Sequence, residues 1–156
     1  MTDRQDEVST LNTLIATLID SITGYEDAAS NSEGGRFQQL FRERANERQQ
    51  VVEDLRAEVR RLGGNPEDDG SFMGKTHQRF LDLKSAITGR DDQAIINEVE
   101  RGEDYLKEKF ETALNGDTLS GDSRSVVERA YQSVRSGHDQ MSELKHGMEA
   151  GSHSHS

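Results

Sequence analysis

The stretch FQQLFRERANERQQVVEDLRAEVRRL, residues 37–62, decides the fold. Its apolar residues, Phe37, Leu40, Phe41, Val51, Val52, Leu55, Val59 and Leu62, recur at three- and four-residue spacing, the mark of one buried face of an α-helix. Between Phe41 and Val51 the stripe is broken by Arg44, Glu47 and Arg48. Arg44 follows Phe41 and Arg48 precedes Val51 and Val52 by about one turn, so their phase directs charge toward the buried face. Gly63-Gly64 supplies a C-terminal stop, with the only proline, Pro66, just beyond it.

Upstream, Leu11, Leu14, Ile15, Leu18, Ile22, Tyr25 and Ala29 give a second helix from about Ser9, read as its N-cap, to Asn31. The break at Ser32 to Gly35 is short, and short links join antiparallel neighbours. Downstream, an acidic, turn-rich stretch leads to Phe72, Met73, His77, Phe80, Leu81, Leu83 and Ile87, a shorter helix that stops at Gly89. A helix of roughly 17 residues rises about 25 Å, enough to carry the chain back along a bundle. Asp91 is the expected N-cap of the next long helix, which holds Ala94, Ile95, Val99, Leu106, Phe110, Ala113 and Leu114 and ends near Asn115-Gly116. The last helix, opened by Asp122 or Ser123, holds Val127, Ala130, Tyr131, Val134, Met141, Leu144 and Met148. No alternating run of branched residues predicts a strand. The expected fold is all-α: a ferritin-like four-helix bundle with a short helix in the long crossover between the second and third main helices. Residues 1–146 form its single domain, and 147–156 a disordered tail.

Each long stripe carries a polar interruption. The second has Arg44, Glu47 and Arg48, the third Glu100 and Glu103, the fourth His138 beside Gly137, and the first Glu26. Charge inside a bundle must be offset by a cofactor, a metal pair or an ion-pair network. Di-iron bundles take one Glu from each of two helices and a Glu-x-x-His pair from each of the others. Here the candidate metal ligands are Glu26, Glu47, Glu100, Glu103 and His138, but the second helix offers Glu47-x-x-Gln50 and the fourth Arg135-x-x-His138. Two divalent metals require excess carboxylate, whereas Arg44 and Arg48 place fixed positive charge in the same layer. The favoured expectation is a structural polar layer of Arg44, Arg48, Glu103 and His138 with no cofactor; the alternative is a di-iron or single-metal carboxylate protein with oxidase or iron-handling activity, iron being the cofactor.

The totals narrow the function further. The 156 residues carry 19 Lys plus Arg against 30 Asp plus Glu, a net charge of -11, which argues against nucleic acid and anionic membranes as partners. There is no cysteine, which removes disulfides, thiolate metal sites and thiol nucleophiles. No run approaches the roughly 18 apolar residues of a membrane span, and the N-terminus lacks the pattern of a signal peptide, so a cytoplasmic location is expected. No Gly-x-Ser-x-Gly elbow, phosphate loop or dinucleotide fingerprint supports an enzyme class built on those motifs. His153 and His155 in the tail read as a weak, adventitious metal binder.

The segment Asn97-Glu98-Val99-Glu100-Arg101-Gly102-Glu103-Asp104, the run from His77 to Gly89 and the Leu62-Gly63-Gly64-Asn65-Pro66 stop together resemble an uncharacterised bacterial four-helix-bundle family of the ferritin-like superfamily. The resemblance covers about Leu11 to Leu144 and is carried most specifically by Glu-Arg-Gly-Glu-Asp. It implies the bundle fold and no established activity, a role in stress survival being a suggestion made for the family; its kinship to ferritins and rubrerythrins implies a metal site, which the missing Glu-x-x-His pairs weigh against. The combined expectation is a non-enzymatic bundle acting through a protein partner or as a homo-oligomer.

Overall fold

The computed structural model describes residues 4–32, 35–67 and 92–153. Four helices are formed, α1 (Arg4–Asn31), α2 (Gly35–Arg61), α3 (Asp92–Asn115) and α4 (Gly121–His153), and no strand occurs among the described residues. None of these helices is long and apolar enough to cross a membrane. The crossover helix expected around Phe72 to Ile87, and Asp91 as a cap, lie outside the described residues. At the N-terminus the helix already runs at Arg4, so Ser9 is helical and not a cap. Glu7 explains the extension: it continues the stripe one turn before Leu11 and is buried there. At the other end of the chain, α4 runs through Gly147 to His153, across the start of the expected tail.

The bundle is all-α, with α1 packed on α2 and α3, and α4 packed on α3 and α2. Its contacts at one end fix the directions. Glu7, near the start of α1, accepts from Ser120 just before α4, and Glu58, near the end of α2, accepts from Ser123 at the start of α4. The start of α1, the end of α2, the end of α3 and the start of α4 therefore share one end. The order is up, down, down, up, so every packed pair is antiparallel while α2 and α3 run parallel.

The four stripes meet in one core. Leu11, Ile15, Leu18, Tyr25, Phe41, Leu55, Val59, Ile95, Val99, Leu106, Phe110, Val127, Val134 and Met141 have no exposure. Tyr25 and Phe41 pack as a tilted ring pair with centroids 6.0 Å apart. The end of α2 is closed by two hydrogen bonds, Gly63 N–H to Arg60 O at 2.9 Å and Gly64 N–H to Val59 O at 2.9 Å, with Gly63 at φ 83°. This paired cap satisfies carbonyls of the last turn and calls for glycine at the left-handed residue. Gly64 has a separate reason to be small, since a Cβ there would lie 2.7 Å from Val8 Cγ1 of α1. The chain beyond is held by Asn12, whose amide donates to Asn65 O at 3.0 Å and whose oxygen accepts from Glu67 N–H at 2.8 Å.

Candidate functional site

Halfway along the bundle the stripe of α2 places Arg48 inside, and that of α3 places Glu103 opposite it. Neither side chain has any exposure, and Arg48 is the largest fully buried side chain among the described residues. The two planar groups are joined by parallel hydrogen bonds, Nη1 to Oε1 at 2.9 Å and Nη2 to Oε2 at 2.6 Å. Nη1 also donates to the Ser21 hydroxyl at 3.2 Å, and the guanidinium lies 5.6 Å from the centroid of the Tyr25 ring. Nε of Arg48 is buried and finds no acceptor among the described residues. Burial alone would lower the pKa of Arg48, but the Glu103 charge and hydrogen bonds, with Tyr25 and Glu47, together outweigh it, and the guanidinium stays protonated. Burial and the Glu103 charge hold the Tyr25 phenol well above its ordinary pKa, so it is neutral.

The fourth wall is Gly137 of α4. A Cβ built there would lie 2.5 Å from Arg48 Nη2 and 2.7 Å from Glu103 Oε2, so the absent side chain is the space the ion pair occupies. Arg44 lies at the edge of the layer, donating to Glu47 Oε1 at 2.9 Å and to Gln140 Oε1 at 2.5 Å, and Ser133 donates to the same Glu47 oxygen. Glu47 itself is exposed.

Of the expected ligands, the structure separates more than it joins. Glu26 is exposed on α1, because each four-residue step carries a side chain about 40° round a helix and the path from Leu18 through Ile22 has left the core by Glu26. Ser21 and Tyr25 occupy the inner line instead. Glu103 faces the core, whereas Glu100 and His138 meet at the α3–α4 seam with Asp104, a residue the stripes do not single out. There His138 Nε2 lies 2.5 Å from Asp104 Oδ1 and Nδ1 lies 3.1 Å from Asp139 Oδ1, while Lys145 Nζ approaches Glu100 Oε2 at 3.3 Å. Burial lowers the His138 pKa, but the hydrogen bonds to Asp139 and Asp104 and the Asp104 charge outweigh it, and the net shift is upward.

A second polar layer closes the end of the bundle. Glu58, also buried, takes two hydrogen bonds from Arg61, at 2.8 and 2.6 Å, and one from the Ser123 hydroxyl at 2.7 Å. The Arg61 bonds hold the Glu58 pKa below its ordinary value, with burial opposing and Ser123 assisting. Both acids lie on their stripes, Glu58 between Leu55 and Leu62 and Glu7 before Leu11, so the spacing carried the signal.

With the four-helix geometry fixed, comparison with known families adds one result: residues 6–116 match the family described as Domain of unknown function (DUF2383). The chain belongs to that family. No curated protein matches it. The DUF2383 match spans α1, α2 and α3, and with them Ser21, Tyr25, Arg48 and Glu103. Gly137 and His138, on α4 of this DUF2383 chain, lie beyond it.

Proposed function

We propose that this DUF2383 protein is a ferritin-like bundle of non-enzymatic character, in which the Arg48–Glu103 pair takes the mid-bundle place of a carboxylate-bound metal pair. It works in the cytoplasm through a protein partner or a second copy of itself. One observation carries the reading: Glu103, the one buried acid of α3, already has both oxygens on a buried guanidinium. A cation at the same carboxylate would have to displace a group that is always charged and fully buried. The up, down, down, up helix order supports the ferritin-like part, since one long connection between two hairpins is that superfamily's arrangement. The net charge of -11 supports a partner other than nucleic acid. The family resemblance adds a stress-associated setting.

Elemental analysis of protein expressed with added iron, in a chain carrying His153→Ala and His155→Ala, tests the reading together with Glu103→Ala. The expected result is no metal lost with the Glu103 carboxylate, and a marked loss of stability. About two irons per chain that disappear in Glu103→Ala, with helical content kept, would overturn it. Light scattering and cross-linking then distinguish self-association from a separate partner.

A further inference from the structure

We infer that Glu100, Asp104 and His138 form a surface site for a divalent first-row transition cation, bridging α3 and α4 on the outside of the bundle. The site is distinct from the buried pair, because Glu103 turns inward from the same stretch of α3. Glu100 and Asp104 are four residues apart on one helix and therefore stack on one face. His138 comes from the antiparallel neighbour, and one ligand atom from each of the three lies within 4.8 Å of the others. Ligands about 2.0 to 2.2 Å from a zinc ion are roughly 3 to 4 Å apart, so small side-chain rotations bring this set to coordination distance.

An independent observation concerns the other nitrogen of the ring. A neutral imidazole has one N–H, yet His138 faces carboxylate oxygens at both nitrogens, Asp139 at Nδ1 and Asp104 at Nε2. A proton at Nδ1 and a metal ion at Nε2 is one arrangement that satisfies both contacts. Asp139 lies outside the three-residue set, and as acceptor from Nδ1–H it presents the Nε2 lone pair to Asp104 and Glu100. A carboxylate holding the far N–H is the usual outer support of a metal-bound histidine. With a neutral ring the three ligands sum to two negative charges, which a divalent ion neutralises. Imidazole with carboxylates suits zinc and its first-row neighbours. The exposed side, where Asp104 is 53% accessible, leaves the remaining positions to water. Lys145 on Glu100 and Lys107 near His138 are the competing cations.

The test is calorimetric titration of zinc into the full chain carrying His153→Ala and His155→Ala, which removes the tail histidines. One zinc per chain is expected. Asp104→Asn should weaken it at least tenfold, and because this side chain is largely exposed the fold is kept. Lys145→Ala should tighten binding by freeing Glu100, and Glu47→Gln should leave it unchanged. Nitrogen NMR of the imidazole should show the large zinc-dependent shift at Nε2 of His138. Absence of a saturable site, or a site whose affinity Asp104→Asn does not change, would overturn the inference.

Discussion

Arg48 of α2 and Glu103 of α3 meet edge to edge in the buried centre of the bundle, through two hydrogen bonds of 2.9 and 2.6 Å and with no exposure on either side. Each group spans the bundle to reach the other, since α2 and α3 are not among the extensively packed helix pairs. The pair therefore links the two hairpins, one from α1 and α2 and the other from α3 and α4.

Removal of one partner leaves the other charge buried and uncompensated. Arg48→Ala or Glu103→Ala is expected to cost about 3 to 5 kcal/mol in chemical denaturation. Replacing both at once with apolar side chains of similar size, Arg48→Met with Glu103→Leu, should return most of that loss, because attraction between buried charges only roughly repays their desolvation. A double variant as unstable as the singles would mean that the pair contributes through Ser21 and Tyr25 more than through its own charge.

Gly137 makes a separate prediction about the same layer. Alanine is favoured over glycine within a helix by about 1 kcal/mol, but here its Cβ would press on the Arg48 and Glu103 termini at 2.5 and 2.7 Å. Those termini are fully buried and hold each other by two hydrogen bonds, so moving them strains the pair. Gly137→Ala should therefore destabilise the protein by about 1 to 2 kcal/mol, overpacking exceeding the gain in helix propensity. Gly147 lies in the same helix, and a methyl group added there would meet nothing within 4 Å. It is the control, and Gly147→Ala should be neutral or slightly stabilising in thermal unfolding.

Where the sequence was legible and where it was not follows from helix geometry. The line through Leu14, Leu18 and Tyr25 names the buried face of α1 without ambiguity, and Phe41, Val52, Leu55 and Val59 do the same for α2. Arg48 lies on that inner line and Glu47 is about 100° from it, so two neighbouring charges have opposite surroundings. Glu26 shows the error that spacing invites, since being one turn from an apolar residue at the edge of a stripe leads outward. Asp104 was illegible for another reason. Its partner His138 comes from a different helix, and the pairing depends on how α4 is rotated against α3. The glycine at 137 was visible as a residue but not as a cavity, because only the packed bundle shows what fills the missing side chain.

The end layer gives a pH dependence. The Glu58 carboxyl has its folded pKa below the ordinary 4.5, chiefly through Arg61. Its contribution is thus fully present above the unfolded value and is lost as pH falls through the depressed folded value. Glu58→Gln should cost about 1 to 2 kcal/mol at pH 7, the lower part of the range for hydrogen bonds to a charged group because Arg61 is half exposed. Below pH 4.5 the difference between the variant and the parent should shrink toward the depressed pKa. Urea titrations at pH 7, 5 and 3.5 measure it, and a difference that grows on acidification would contradict the assignment.

Asn12 ties the segment after α2 to α1, and its amide satisfies two backbone groups at once: Asn65 O at 3.0 Å and Glu67 N–H at 2.8 Å. Asn12 is itself buried, while Asn65 is exposed and Glu67 half-buried, so these bonds are partly sheltered from water. Asn12→Ala removes both and leaves the Asn65 carbonyl and the Glu67 N–H without their side-chain partner. The expected cost is about 1 to 3 kcal/mol. Amide exchange locates the effect: the Glu67 amide should exchange faster, while those of Val51 and Val52 at mid-helix should change only as far as global stability changes. Asn12→Asp separates the two bonds. It keeps the acceptor for Glu67 N–H but turns a negative oxygen toward the Asn65 carbonyl, so Glu67 should remain protected in a variant that is nevertheless less stable than the parent.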